Sequence, residues 1–252
     1  QIDEIACKAF RIGLGPFGLM NLTGPPIALH STDYLAEQLN TPRYTGAGNL
    51  RALVEAGEMW PIEDDSAYDE STYAAVSERL LGVVFGVAAQ IVEEDVCSME
   101  DVDRGAKVGL RWAKGPFELM NRVGLKEAHR MATAYAELAA EGWSVPDFFT
   151  RQAAGGEGWD FSYVDVHMDE GIATITINRP EAMNALNETV VDQLGQAVAK
   201  VHAAEGIHTM VLDGAGKAFV AGADVKFFVD KIRADAIPDI EVFTAGGHVV
   251  LD

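Results

Sequence analysis

Residues 15–21 read GPFGLMN and residues 115–121 read GPFELMN, so this chain of 252 residues repeats itself at an offset of one hundred. A repeat at fixed offset constrains the fold more than any local pattern, because a unit built twice must place its core residues twice. The match extends without a gap. Asp3 pairs with Asp103, Ala6 with Ala106, Arg11 with Arg111, Gly24 with Gly124, Ala28 with Ala128, Ala36 with Ala136 and Glu37 with Glu137. A long apolar segment precedes the second copy and none precedes the first, so the chain is expected to start inside a domain.

The apolar spacing predicts helices through most of the first 140 residues. In the first copy they cover 3–11, a segment opened by Gly15-Pro16 and closed by Gly24-Pro25-Pro26, and 27–39, with Pro favoured at the first helical position. A Pro/Gly/Asp-rich stretch follows from Thr41 to Asp69. In the second copy they cover 72–92, 99–110, a segment from Pro116 to Gly124, and 125–140. Ser98 stands three residues before Asp101, resembling a capping box with Asp in place of Glu or Gln. Four helices with short connections read as a small bundle.

Residues 141–161 break this pattern, and the linker is set at 146–161. The period then changes. Val164 and Val166 alternate with polar residues, and Ala173, Ile175 and Ile177 alternate with Thr174 and Thr176, as half-buried strands do. Residues 188–204 carry Val190, Val191, Leu194, Val198 and Val201 at helical spacing, and Thr209 to Leu212 is a short β-prone run. The expected fold class is mainly α, a duplicated helical domain followed by an incomplete α/β domain. The expected divisions are 1–60 for the first repeat, truncated at its N-terminus, 61–145 for the second, the linker, and 162–252 for the α/β part.

A formal net charge of −20 argues against nucleic acid, which needs a basic stripe. Solubility explains the acidity without invoking a partner. No apolar run is read as long enough to span a bilayer, and no signal sequence opens the chain. Cys7 and Cys97 lack a CxxC or metal-like neighbour, and His30, His129, His202 and His208 show no pair at metal spacing. A reducing, cytoplasmic setting without a metal is expected. Glu63-Asp64-Asp65 reads as a solvated loop, and Met20 and Met120 as packing residues.

Gly13-Leu14-Gly15-Pro16-Phe17-Gly18 fits the GxGxxG pattern of dinucleotide-binding turns. That turn needs a strand before it and an acidic residue about twenty positions on. Here CKAFRI continues a helix, Asp33 falls within another, and the second copy has Ala113 and Glu118 in place of two of the glycines. The shared element is Gly-Pro-Phe, a helix start.

The doubled GPFxLMNxxG, with MEDVDRGAKVGLRWAKGPFELMNRVGL from Met99, resembles the C-terminal domain of 3-hydroxyacyl-CoA dehydrogenases, which is often duplicated. The resemblance implies an NAD-dependent parent whose NAD domain and catalytic His–Glu pair have no counterpart here. It also implies an opening helix before the first repeat. The last ninety or so residues resemble the crotonases, the enoyl-CoA hydratases and isomerases, through GIATITINRPEAMNALN and LDGAGKAFVAGADVKFF. Together they resemble a bifunctional enzyme of fatty-acid β-oxidation.

The second crotonase motif can be read chemically. Ala221-Gly222-Ala223 is a turn of small residues leading into a helix, and small side chains let a thioester carbonyl approach the backbone. The Ala223 N–H can then donate to an oxygen that becomes an enolate, and such a donor contributes about 2.7–4 kcal/mol. The resemblance makes Ala223 one of two oxyanion donors. It assigns Asp224, Val225 and Lys226 to the substrate loop, and Ala182, Met183 and Ala185 to the loop that meets coenzyme A adenine. Arg179 could meet phosphate, although Glu181 replaces a lysine of the family loop. The same turn also reads as tight packing alone.

The family's second oxyanion donor and its two catalytic glutamates have no counterpart, and Gly246-Gly247 lacks the context of the missing loop. The expected substrate is a coenzyme A thioester and the cofactor of the parent is NAD. The expected partners are acyl-CoA and a second copy through the helical domain. The chain alone is expected to be inactive, with disorder after about Phe227. A non-catalytic acyl-CoA-binding or dimerisation module and a crotonase of other chemistry, such as an isomerase, stay open.

Overall fold

The computed structural model describes residues 1–62, 67–139 and 143–251. The acidic run Glu63-Asp64-Asp65 and the first two residues of the 141–161 stretch lie outside the described residues, as do Ala140 and Asp252. Two compact units form, Gln1–Trp159 and Asp160–Asp252.

Among the described residues the first unit is helical, with no strand. Its elements are α1 (Ile2–Phe10), α2 (Pro16–Thr23), α3 (Pro25–Gln38), a 3-10 turn at Pro42–Tyr44, α4 (Gly48–Ala56), α5 (Glu70–Glu93), α6 (Met99–Gly109), α7 (Pro116–Val123), α8 (Leu125–Ala136) and α9 (Asp147–Gly155). The repeat holds in backbone detail. Arg11 caps α1 and Arg111 follows the Leu110 cap of α6, both in the left-handed region at φ 55° and 57°. Asp3 reaches the start of α2 and accepts the Phe17 and Gly18 N–H groups at 2.7 and 2.6 Å. Asp103 does the same at α7 for Phe117 and Glu118, at 2.8 and 2.9 Å. Each carboxylate thus satisfies two of the N–H groups that a helix start leaves unpaired. A Cβ at Gly15 or Gly115 would collide with that aspartate, which explains the glycine before Pro-Phe in both copies.

The structure extends the repeat beyond the sequence match. Asn21 donates to the Trp60 carbonyl and accepts its N–H, both at 2.9 Å. Asn121 holds Trp159 in the same two-way clamp, at 2.9 and 2.7 Å. Phe17 meets Trp60 edge-on with ring centres 4.7 Å apart, and Phe117 meets Trp159 at 5.4 Å. So α9 is the counterpart of α4, each ended by a left-handed glycine, Gly57 and Gly156. This corrects the linker at 146–161, where Phe149, Ala153 and Trp159 are buried in the bundle. Glycines around both helices masked their periodicity.

A second correction concerns α5. Its 24 residues, with a mean hydropathy of 1.6 over an 18-residue stretch, are long and apolar enough to cross a membrane by length and composition. In this structure α5 is the central helix of the bundle, packed on α1, α6, α7 and α8 and burying Leu81, Phe85, Ala88 and Ala89. The two repeats meet along α1 and α5, where Phe10 stacks on Trp112 at 5.0 Å and Arg122 donates to the Ala9 carbonyl at 2.9 Å.

The second unit contains a three-stranded sheet, β1 (Val164–Asp169), β2 (Ile172–Ile177) and β3 (Thr209–Gly214), in that order. β1 and β2 are antiparallel with Val164 opposite Ile177, and β2 and β3 are parallel with Ile172 opposite Thr209. Helix α10 (Glu188–His202) crosses between the parallel strands. Its Val190, Leu194, Ala197 and Val201 pack on Ala173, Ile175 and Ile177 of β2. Two helices follow, α11 (Val225–Arg233) and α12 (Ile237–Leu251), in place of the disorder expected after Phe227. Asp224 caps α11, and Phe243 of α12 packs its ring 4.8 Å from Phe227 and 5.8 Å from Phe228. Lys231 bridges Asp239 and Glu188 at 2.6 and 3.1 Å. A local aromatic cluster and an ion-pair bridge give this segment partners that helical spacing alone did not reveal.

Candidate functional site

The candidate residues lie on two loops that leave neighbouring parallel strands at their carboxyl ends. After β2 the chain passes Asn178-Arg179 into a 3-10 turn at Pro180–Ala182, then through Met183 and Asn184, both left-handed at φ 52° and 56°. After β3 it runs from Ala215 to Ala223 and enters α11. Asn184, with no exposed surface, ties the loops together. Its amide donates to the carbonyls of Ala215 and Ala218 at 2.9 and 2.7 Å and accepts the Arg179 N–H at 2.8 Å. The sequence reading missed Asn184. The available signal was an asparagine between two assigned positions, since asparagine tolerates left-handed backbone better than most residues.

Ala223 sits in an isolated parallel bridge with Leu186. The bridge bonds use its neighbours: Leu186 N–H donates to the Gly222 carbonyl at 2.9 Å, and Asp224 N–H donates to the Leu186 carbonyl at 2.8 Å. The Ala223 N–H therefore points away from Leu186, as alternate residues of a strand do. Ala223 is exposed and Gly222 adopts φ 122°, a conformation suited to glycine. The arrangement leaves one donor outside the bridge at an exposed turn of small side chains.

The remaining candidates divide. Met183 accepts the Ala221 N–H through its carbonyl at 3.1 Å, so the two loops touch at this point, while the residue is 63% exposed. Ala182 is half-buried in the 3-10 turn, and Val225 projects outward at 73% exposure. Asp224 and Lys226 line a small cavity of about 210 Å3 with Asn187 and Phe227. Arg179, read from the sequence as able to meet phosphate, has partners within the protein. Its guanidinium pairs with Asp224 at 2.9 Å and donates to the Ala185 carbonyl at 3.1 Å, with both side chains of the pair about four-fifths buried.

Asp224 accepts the Lys226 N–H at 3.0 Å and holds Arg179, so it is a structural carboxylate rather than a free base. Gly13 to Gly18 does not form a dinucleotide-binding turn, since it follows α1 rather than a strand and Asp33 is engaged by the Gly46 N–H and by Arg51. Among the described residues, no three His, Cys, Asp or Glu side chains are grouped to hold a metal.

Residues 1–70 and 76–154 match the family described as 3-hydroxyacyl-CoA dehydrogenase, C-terminal domain. Residues 172–246 match enoyl-CoA hydratase/isomerase. A probable enoyl-CoA hydratase of Mycobacterium bovis is 39% identical over 71 residues, 28% of each chain. A mevalonyl-coenzyme A hydratase of Beauveria bassiana is 38% identical over 86 residues, 34% of this chain and 29% of that one. The crystal structure of a probable enoyl-CoA hydratase from Mycobacterium smegmatis shares 39% identity over 25% of this chain and 26% of that one, with a TM-score of 0.25. The chain thus spans under a third of the length of these curated relatives.

Proposed function

This chain belongs to the 3-hydroxyacyl-CoA dehydrogenase family through its helical C-terminal-type domain, and from that premise we propose that it serves fatty-acid β-oxidation as part of a cytoplasmic bifunctional enzyme. The paired reactions are hydration of a trans-2-enoyl-CoA and NAD-dependent oxidation of the resulting 3-hydroxyacyl-CoA. The helical unit carries the dehydrogenase relationship and pairs with a second copy. The second unit carries the hydratase relationship and receives the thioester.

The observation that carries the reading is the backbone at Ala223. Its N–H is left out of the bridge to Leu186, at an exposed turn whose small side chains admit a carbonyl. A thioester oxygen placed there gains a fixed donor as it takes on enolate charge, with no reorganisation needed at that moment. Arg179 is committed to Asp224, so recognition rests on the thioester rather than on a phosphate clamp at this loop.

Calorimetric titration with crotonyl-CoA and with free coenzyme A tests the proposal. Crotonyl-CoA should bind at least about tenfold more tightly, the equivalent of one well-placed hydrogen bond to the carbonyl. Equal affinities would place recognition on the nucleotide and remove Ala223 from the site.

A further inference from the structure

The Ala223 N–H belongs to the peptide group that it shares with the Gly222 carbonyl, and that carbonyl accepts the Leu186 N–H at 2.9 Å. The Leu186 N–H belongs in turn to the peptide group that it shares with the Ala185 carbonyl, which accepts Arg179 Nη1 at 3.1 Å. In a trans peptide the N–H and the C=O point in opposite directions. The two groups therefore line up head to tail. They run from the guanidinium through Ala185–Leu186 and Gly222–Ala223, and end on the N–H that the bridge leaves out.

The head of this chain of bonds is held in place. The Arg179 backbone N–H donates to the buried Asn184 side chain at 2.8 Å, and the same Nη1 pairs with Asp224 at 2.9 Å. Arg179 thus grips both strands of the bridge, at Ala185 just before Leu186 and at Asp224 just after Ala223. The turn needs that grip. The bridge is one residue long, and Gly222 at φ 122° has a wide choice of backbone angles.

We propose that Arg179 is a positioning residue for the Ala223 donor, orienting and polarising it through these two peptide groups, a role that rests on the reading of Ala223 as the thioester donor. A cation donating at the head draws electron density from each carbonyl oxygen in turn, so each N–H further along becomes a better donor. A hydrogen bond from a charged group is about twice as strong as a neutral one. Asp224 offsets the long-range field of the cation, while the donation to Ala185 is a contact and survives the pairing. The consequence is discrimination. An oxygen that takes on enolate charge gains most from a polarised donor, and free coenzyme A has no thioester carbonyl to present.

Amide proton shifts in a 15N-labelled full chain test this without ligand. In Arg179→Met the Leu186 and Ala223 amides should move upfield together. In Arg179→Lys, which keeps a cation at Ala185, they should stay near their parent positions. Arg179→Gln, which offers a neutral N–H and guards against loss of the fold, should move them in the same sense by less. With ligand, Arg179→Met should lose at least about threefold of the preference for crotonyl-CoA over free coenzyme A, and Arg179→Lys should keep it. Unmoved Leu186 and Ala223 amides in Arg179→Met would overturn the proposal, as would equal displacement in Arg179→Lys. A parent chain that binds crotonyl-CoA and free coenzyme A equally would sink the thioester reading and not the coupling of Arg179 to Ala223, which the ligand-free shifts decide alone.

Discussion

Asp103 accepts the Phe117 N–H at 2.8 Å while only 2% exposed, so the start of α7 is held by a carboxylate inside the bundle. Burial pushes its pKa up to about 6, against the opposing pull of the Phe117 and Glu118 N–H groups. The folded state therefore binds this proton more tightly than the unfolded state does. The corresponding stability is present below about pH 4 and is lost as pH rises toward 6.

Urea unfolding across this range should show that loss in the parent and a flatter profile in Asp103→Asn. At pH 7 the variant should be less stable by about 1–3 kcal/mol, because an amide nitrogen then faces a backbone N–H. Asp3→Asn should cost less, since Asp3 is only half-buried. An unchanged pH profile in Asp103→Asn would show that this carboxyl does not carry the dependence.

Asn184→Ala should destabilise the second unit by about 2–3 kcal/mol, because two partly buried carbonyls and one N–H lose their partner. Asn184→Gly relieves the left-handed backbone and should still lose most of that amount. Thermal unfolding followed by circular dichroism measures both. Full recovery by glycine would assign the role of Asn184 to backbone conformation and not to the bonds it makes.

Arg179→Met should leave the affinity for free coenzyme A unchanged within about twofold, because the guanidinium is held by Asp224 and the Ala185 carbonyl. Asp224→Asn should raise that affinity by releasing the cation. Calorimetry on both variants checks this, and a large loss in Arg179→Met would restore the arginine as a phosphate ligand.

The sequence made the duplicated helices legible because Gly-Pro-Phe and its flanking residues recur at a fixed offset, and each marks the same capped helix start. It concealed α4 and α9, whose glycine-rich surroundings resemble loops, and the Asn–Trp clamps that define them join residues 38 or 39 positions apart. Ala223 and its turn were legible as a run of small residues after a β-prone segment. The direction of its N–H was not, because that depends on the bridge to Leu186. The engagement of Arg179 by Asp224 was hidden for the same reason: partners 45 positions apart in the chain become neighbours only when the two loops close.

The proposed function turns on the Ala223 N–H meeting a thioester carbonyl. The most direct measurement is the amide chemical shift of Ala223 in a 15N-labelled chain titrated with crotonyl-CoA and with free coenzyme A. A saturable downfield proton shift is expected with crotonyl-CoA and none with free coenzyme A. An Ala223 amide that stays in place while crotonyl-CoA binds elsewhere on the chain would contradict it.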